Sequence, residues 1–129
     1  MKRSLAISPD FIDEAELINA RSASDGMGAV IYFSGIVRAQ EGDSTISALD
    51  YEAFQQMAER QFELIFDAIE KKWPIESIRL IHRTGVVKVN ESSLWVEVIA
   101  PHRGEAFEAC QWLIDEMKRT VTIWKKPVE

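Results

Sequence analysis

The sequence predicts an α+β fold, a mostly antiparallel sheet with three helices, in a single domain over residues 1–129. Three observations predict it. Two long stretches repeat apolar residues every three or four positions, the period of a helix buried along one face. Around them run short segments rich in β-branched and aromatic residues, bounded by polar turns. Between the helices those segments follow one another closely, so the strands cluster as hairpins.

Taken in order, the elements read β-α-β-β-α-β-β-β-α-β, opening with a short strand ahead of Pro9. Ser8-Pro9 reads as a helix start, with Ser8 as N-cap, Pro9 at the first helical position and Asp10 and Asp13 in the first turn. Phe11, Ala15 and Ile18 carry that helix over about 9–22, and Gly26 and Gly28 close the region. Residues 29–37 form a buried strand, in which Gly35 marks a bulge or a close backbone approach. Residues 39–45 are a polar loop, and the alternation over 46–54 predicts a second strand. Ala58, Phe62, Ile65, Ile69 and Trp73 form one stripe of a helix over about 55–73, stopped by Pro74. Strands follow around Ile78–Ile81, Val86–Val89 and Leu94–Ala100. A last helix over 103–120 carries the stripe Ala106, Cys110, Leu113 and Met117, and the extended segment Val121–Trp124 follows it.

Composition narrows the function. Of 129 residues, 47% are apolar and 28% charged, which excludes a disordered chain. The single cysteine, Cys110, excludes an internal disulfide and a thiolate zinc site, and two histidines leave no metal set to expect. No apolar run reaches membrane-spanning length, and the N-terminal apolar stretch is too short for a signal peptide, so the expectation is a soluble cytoplasmic protein. A net charge of −6 argues against nucleic acid as a partner. The charge is uneven, however: 7 basic against 14 acidic side chains over residues 1–78, and 8 against 7 over 79–129.

The cations that stand out are Arg38, His82-Arg83, His102-Arg103, Lys118 and Lys125-Lys126. Arg38 follows directly on an apolar strand. His102-Arg103 lies where a strand passes into a helix, at the free N–H groups and positive dipole end that suit a phosphate. The same pair also reads as a polar cap and a solvated first-turn residue. Lys118 borders the buried stripe of the last helix, either snorkelling to solvent or facing a site. Lys125 follows Trp124, as an edge-strand charge or an anchor. Cys110 reads as small core filler.

These residues belong to a longer pattern. Gly35-Ile36-Val37-Arg38, Leu49-Asp50-Tyr51-Glu52-Ala53-Phe54, Ile81-His82-Arg83-Thr84-Gly85, Pro101-His102-Arg103, Ala106-Phe107-Glu108-Ala109-Cys110, Ile114-Asp115-Glu116-Met117-Lys118 and Ile123-Trp124-Lys125-Lys126 occur in one order from about residue 28 to 126. In that combination the chain resembles the large, catalytic subunit of molybdopterin synthase. The resemblance implies an α/β-hammerhead fold, a central homodimer, and a small ubiquitin-like sulfur-carrier subunit on each protomer, giving a heterotetramer. It implies that the carrier's C-terminal Gly-Gly thiocarboxylate threads into a pocket. There it donates sulfur to cyclic pyranopterin monophosphate, and two transfers make the molybdopterin dithiolene, with no cofactor or metal in the subunit. It places the family's functional positions on Arg38, His102, Arg103, Lys118 and Lys125, with Lys126 counted to the substrate-binding set. Lys118 is then the leading acid/base group, and Lys125 the second catalytic lysine and the anchor of tail and substrate. The family's phosphate pocket draws on both protomers, so Arg38 and His102-Arg103 need not act within one chain.

The chain also departs from the family pattern. Thr122 and Pro127 stand where relatives commonly have proline and glutamate, and Ala39-Gln40-Glu41 replaces an Asn-His-rich loop. Many relatives continue past the position of Glu129 with a further aromatic and basic segment. An alternative reading is therefore a carrier-binding module of the same fold with reduced or lost catalysis.

Overall fold

The computed structural model describes all 129 residues, Met1–Glu129. Its elements are β1 (Lys2–Ser8), α1 (Glu14–Asn19), β2 (Ala29–Ile36), β3 (Gln40–Glu41), β4 (Ser44–Thr45), β5 (Ala48–Ala53), α2 (Gln55–Lys72), β6 (Ser77–Arg83), β7 (Gly85–Lys88), β8 (Ser92–Ala100), α3 (Arg103–Thr120) and β9 (Ile123–Val128). The predicted α+β class holds. A four-stranded sheet runs in the order β1-β6-β8-β2, a three-stranded sheet in the order β7-β5-β9, and β3 and β4 form a small hairpin. Every pairing is antiparallel except β1 with β6.

The main core lies where α2 and α3 cover the four-stranded sheet. Phe62, Ile65, Phe66 and Ile69 of α2 meet Ala106, Ala109, Cys110, Leu113 and Met117 of α3 over Ile78, Leu80, Leu94, Val96 and Val98. Both stripes read from the sequence are thus buried, with only Trp73, the last residue of the α2 stripe, half-buried. α2 stops at Trp73, whose backbone is extended (φ −136°, ψ 149°), as a residue before proline prefers. β8 is buried at every position, Ser92 to Ala100; on its other face Trp95 stacks on Tyr32 and lies under Arg79, which also donates to the Leu17 carbonyl of α1. Glu97 is tolerated there because Arg79 pairs with both its oxygens at 2.6 and 2.7 Å. A second, smaller core of Val37, Ile46, Leu49 and Val87 joins the three-stranded sheet to the β3–β4 hairpin.

Three expectations are corrected. The first helix is six residues long rather than spanning 9–22, and Asp13, not Ser8, caps it by accepting from the Glu16 N–H at 3.2 Å. Ser8 is held in the β1–β6 ladder opposite Arg83, and its hydroxyl accepts from the Asp10 N–H in a tight turn instead. Phe11 and Ile18 are exposed, and Ile12 takes the buried place expected of them. The polar loop over 39–45 contains the β3–β4 hairpin, turned by Gly42 in the left-handed region (φ 60°). The last strand extends to Val128, because its whole length pairs with β5. Gly35 matches its reading: the β2–β8 register shifts between Gly35 and Ile36, and a Cβ at Gly35 would lie 3.4 Å from that of Leu94.

Candidate active site

The bulge at Gly35 turns the end of β2 toward the gap between the two sheets, and the chain emerges there at Arg38. The same gap receives the last turn of α3, with Met117 and Lys118, and the start of β9, with Ile123 and Lys125. Together with the β3 residue Glu41 they line a cavity of about 660 Å³. That volume lies within the usual range for a small-molecule site. Phe33, Leu49, Leu94 and Val121 make its apolar wall, while Tyr51, His82 and Ser93 add polar groups.

Three cations therefore face one cavity: Arg38, Lys118 and Lys125. They come from three separate elements. Lys118 sits at the C-terminal end of α3, where the helix dipole favours a cation. Lys125 and Lys126 are neighbours in a strand and so point to opposite faces; Lys125 lines the cavity and Lys126 does not. Lys126 lies opposite Asp50 in the β5–β9 ladder. Only one carboxylate, Glu41, lines the cavity, and its Oε1 lies 3.6 Å from Lys125 Nζ.

The polar wall is held by its own hydrogen bonds. The Tyr51 hydroxyl donates to Ser93 Oγ at 3.2 Å, and Ser93 donates to the Gly35 carbonyl at 3.2 Å, which pins the bulge. His82 packs edge-on against Tyr51 with ring centroids 5.1 Å apart. Its Nδ1 lies 2.8 Å from the Arg83 carbonyl, which can only accept, so Nδ1 carries a hydrogen. Burial pushes its pKa down, and the Arg83 hydrogen bond only partly offsets this, so His82 presents a neutral ring. Arg83 is absent from the cavity lining; it is buried and paired with Glu91 at 3.1 Å.

His102 and Arg103 stand elsewhere. Lys118 lies fifteen residues on from Arg103, about 22 Å along a helix rising ~1.5 Å per residue. His102 is the N-cap residue without a side-chain cap hydrogen bond, and its side chain is 80% exposed, 3.5 Å from Glu105. Within one chain the expected anion groups thus divide into a walled set (Arg38, Lys118 and Lys125) and an open set (His102 and Arg103).

Sequence reading missed Glu41, Tyr51 and Ser93 as lining groups. Tyr51 and Ser93 carried no signal beyond strand alternation and turn chemistry, and Glu41 looked like an ordinary loop acid. Cys110 meets its expectation: it is buried in the core, and burial pushes its thiol pKa up to about 11. The departure at Thr122 has a structural reason. Its N–H and hydroxyl both donate to Gln61 Oε1, at 2.8 and 3.0 Å, tying the α3–β9 link to α2; a proline offers no N–H. Pro127 sits on β9, an edge strand, where a missing N–H is tolerated.

Comparison with known proteins places the chain in a family. The family model described as MoaE protein matches residues 7–120. The molybdopterin synthase catalytic subunit of Thermoplasma volcanium is 38% identical over 117 residues, covering 91% of this chain and 85% of its own. That of Pyrococcus abyssi is 37% identical over 127 residues, covering 98% and 85%. Among solved structures, molybdopterin synthase from Staphylococcus aureus is similar with a TM-score of 0.86 and 31% identity, over 95% of this chain and 89% of that one. A complex of subunits 1 and 2 of the molybdopterin-converting factor from Helicobacter pylori shares the fold, with a TM-score of 0.77 at 22% identity, over 98% and 88% of the two chains.

Proposed function

This chain belongs to the MoaE protein family, and from that premise we propose that it is the catalytic subunit of a molybdopterin synthase. In this reading it moves sulfur from the C-terminal thiocarboxylate of a small ubiquitin-like carrier to cyclic pyranopterin monophosphate. The observation that carries the reading is the convergence of Arg38, Lys118 and Lys125 on one cavity. Both reactants are anions, and the cavity offers three cations against one carboxylate.

The roles follow from position. Lys125 stands on the strand beside the cavity and anchors the carrier tail and the substrate. Lys118 projects from the last turn of α3 and is the acid/base group, giving a proton to or taking one from the reacting centre. It is exposed in the free chain, so the desolvation that sharpens a lysine for such work comes from the tail filling the cavity. Arg38 offers a planar fork for the phosphate. His102 and Arg103 contribute from the opposite end of α3, where a partner protomer completes the phosphate pocket in a homodimer. Lys126, on the other face of β9, acts only as added positive charge. One carrier on each protomer gives a heterotetramer.

A carrier-binding module without catalysis is not favoured, because both lysines are present and face the same cavity. No helix is long and apolar enough to cross a membrane, and the reading needs no membrane. The deciding assay mixes the chain with a thiocarboxylated small subunit and cyclic pyranopterin monophosphate. The dithiolene product is expected. A complex without product overturns catalysis and leaves the module; no complex overturns the reading altogether.

A further inference from the structure

One group in the cavity has the wrong sign for an anion site. Glu41 lines the cavity alongside Arg38, Lys118 and Lys125, and its carboxylate lies 3.6 Å from the Lys125 ammonium. Its placement is built, not incidental. Val37 and Ile46, at the two feet of the β3–β4 hairpin, are buried in the smaller core with Leu49 and Val87. The Ile46 N–H donates to the Ala39 carbonyl at 2.8 Å, and Gln40 Nε2 donates to Thr45 Oγ1 at 3.1 Å. Gly42 makes the turn that leaves Glu41 on the cavity side.

We propose that Glu41 is a specificity-determining residue of the cavity, a built-in competitor that holds Lys125 until an anionic tail displaces it. The proposal rests on the cavity being the site of the carrier tail. A tail ending in a carboxylate or thiocarboxylate arrives with the same charge as Glu41 and needs the same ammonium. It must then separate the pair or share Lys125 with it, and two carboxylates left side by side repel. A ligand without that charge has nothing to gain from Lys125, so the pair also screens the cavity against neutral occupants. An ion pair between half-exposed partners is weak, which keeps displacement easy.

The experiment measures binding of the small carrier subunit ending in a Gly-Gly carboxylate to wild type, Glu41→Gln, Lys125→Gln and the double variant. Glu41→Gln is expected to tighten binding about two- to five-fold, the range of exposed ion pairs. The gain should vanish in the Lys125→Gln background and shrink with added salt. A carrier amidated at its C-terminus should show no gain. Without any carrier, the acetylation rate of Lys125, read by mass spectrometry against Lys126, should rise in Glu41→Gln. Unchanged or weaker carrier binding by Glu41→Gln, a gain that persists without Lys125, or an unchanged Lys125 acetylation rate overturns the proposal. Failure of the wild type to bind the carrier overturns the functional reading, and this inference with it; binding by the wild type with no Glu41 effect overturns this inference alone.

Discussion

The two ends of α3 carry the same kind of chemistry in opposite settings. At its N-terminus, His102 and Arg103 combine exposed side chains with the free N–H groups of a helix start. At its C-terminus, Lys118 stands inside a walled cavity with Arg38 and Lys125. By charge and dipole alone the N-terminal end is the better anion site, since a helix start attracts anions and a helix end attracts cations. Yet only the C-terminal end has walls. A site needs convergent groups and excluded water, and these come from neighbouring elements. The contrast fits the proposed reading, in which a partner protomer completes the open end.

Substitutions at and between the two ends test that contrast. The largest effect is expected at the walled end. Lys118→Ala should lower the rate of sulfur transfer by about 10²–10⁴-fold, the usual worth of a positioned acid/base group, while carrier binding is kept. Single-turnover measurement with a thiocarboxylated carrier checks this, and full transfer by the variant would remove Lys118 from its role. Next is the middle of the helix. Leu113 is fully buried between the ends. Leu113→Ala should cost about 2–5 kcal/mol of stability in urea unfolding, because the rigid core beneath α3 cannot close the cavity left behind.

The open end should respond differently. Arg103→Ala removes a charged contact worth about 1.5–3 kcal/mol, so KM for the pterin phosphate should rise about 10- to 100-fold with carrier affinity unchanged. Mixing Arg103→Ala with Lys118→Ala protomers sharpens the test. Half of the reassorted dimers are mixed, and one of their two sites is intact if each site draws on both chains. Recovery of about a quarter of wild-type activity is then expected. No recovery would place both residues in the site of a single chain.

The smallest effect concerns the cavity wall. His82 is buried and neutral, with its pKa held below the ordinary value near 6.5 mainly by desolvation. The unfolded chain therefore binds a proton that the folded chain refuses. Stability is fully present above about pH 6.5 and falls as pH drops from there toward the folded value. His82→Gln should flatten that part of the stability profile in pH-dependent urea melts. An unchanged slope would mean that another group governs it.

Much of this was legible in the chain. The stripes of α2 and α3 announced themselves, because burial on one face demands a helical repeat. Pro74 announced the end of α2 through the backbone it forces on Trp73. The first helix was misread because Ser8-Pro9 has the chemistry of a cap, while the pairing of β1 with β6 takes Ser8 for a ladder. Arg38, Lys118 and Lys125 stood among the cations singled out by type and position, together with His102 and Arg103, and the resemblance to a known family gave the chemistry expected of them. Glu41 was not found, since nothing local distinguishes an acid in a polar loop from one aimed into a cavity.

The sequence by itself determined the α+β class, the buried faces of the long helices, an irregularity at Gly35 and the identities of the cations. These are local matters of periodicity, turn chemistry and charge. Only the tertiary structure decided which cations share a cavity, that Lys126 turns away while Lys125 turns in, and that His82 is neutral. Only the tertiary structure paired Glu41 with Lys125. Those outcomes depend on strand register and on which elements meet around one gap, and contacts between residues far apart in the chain leave no period to read.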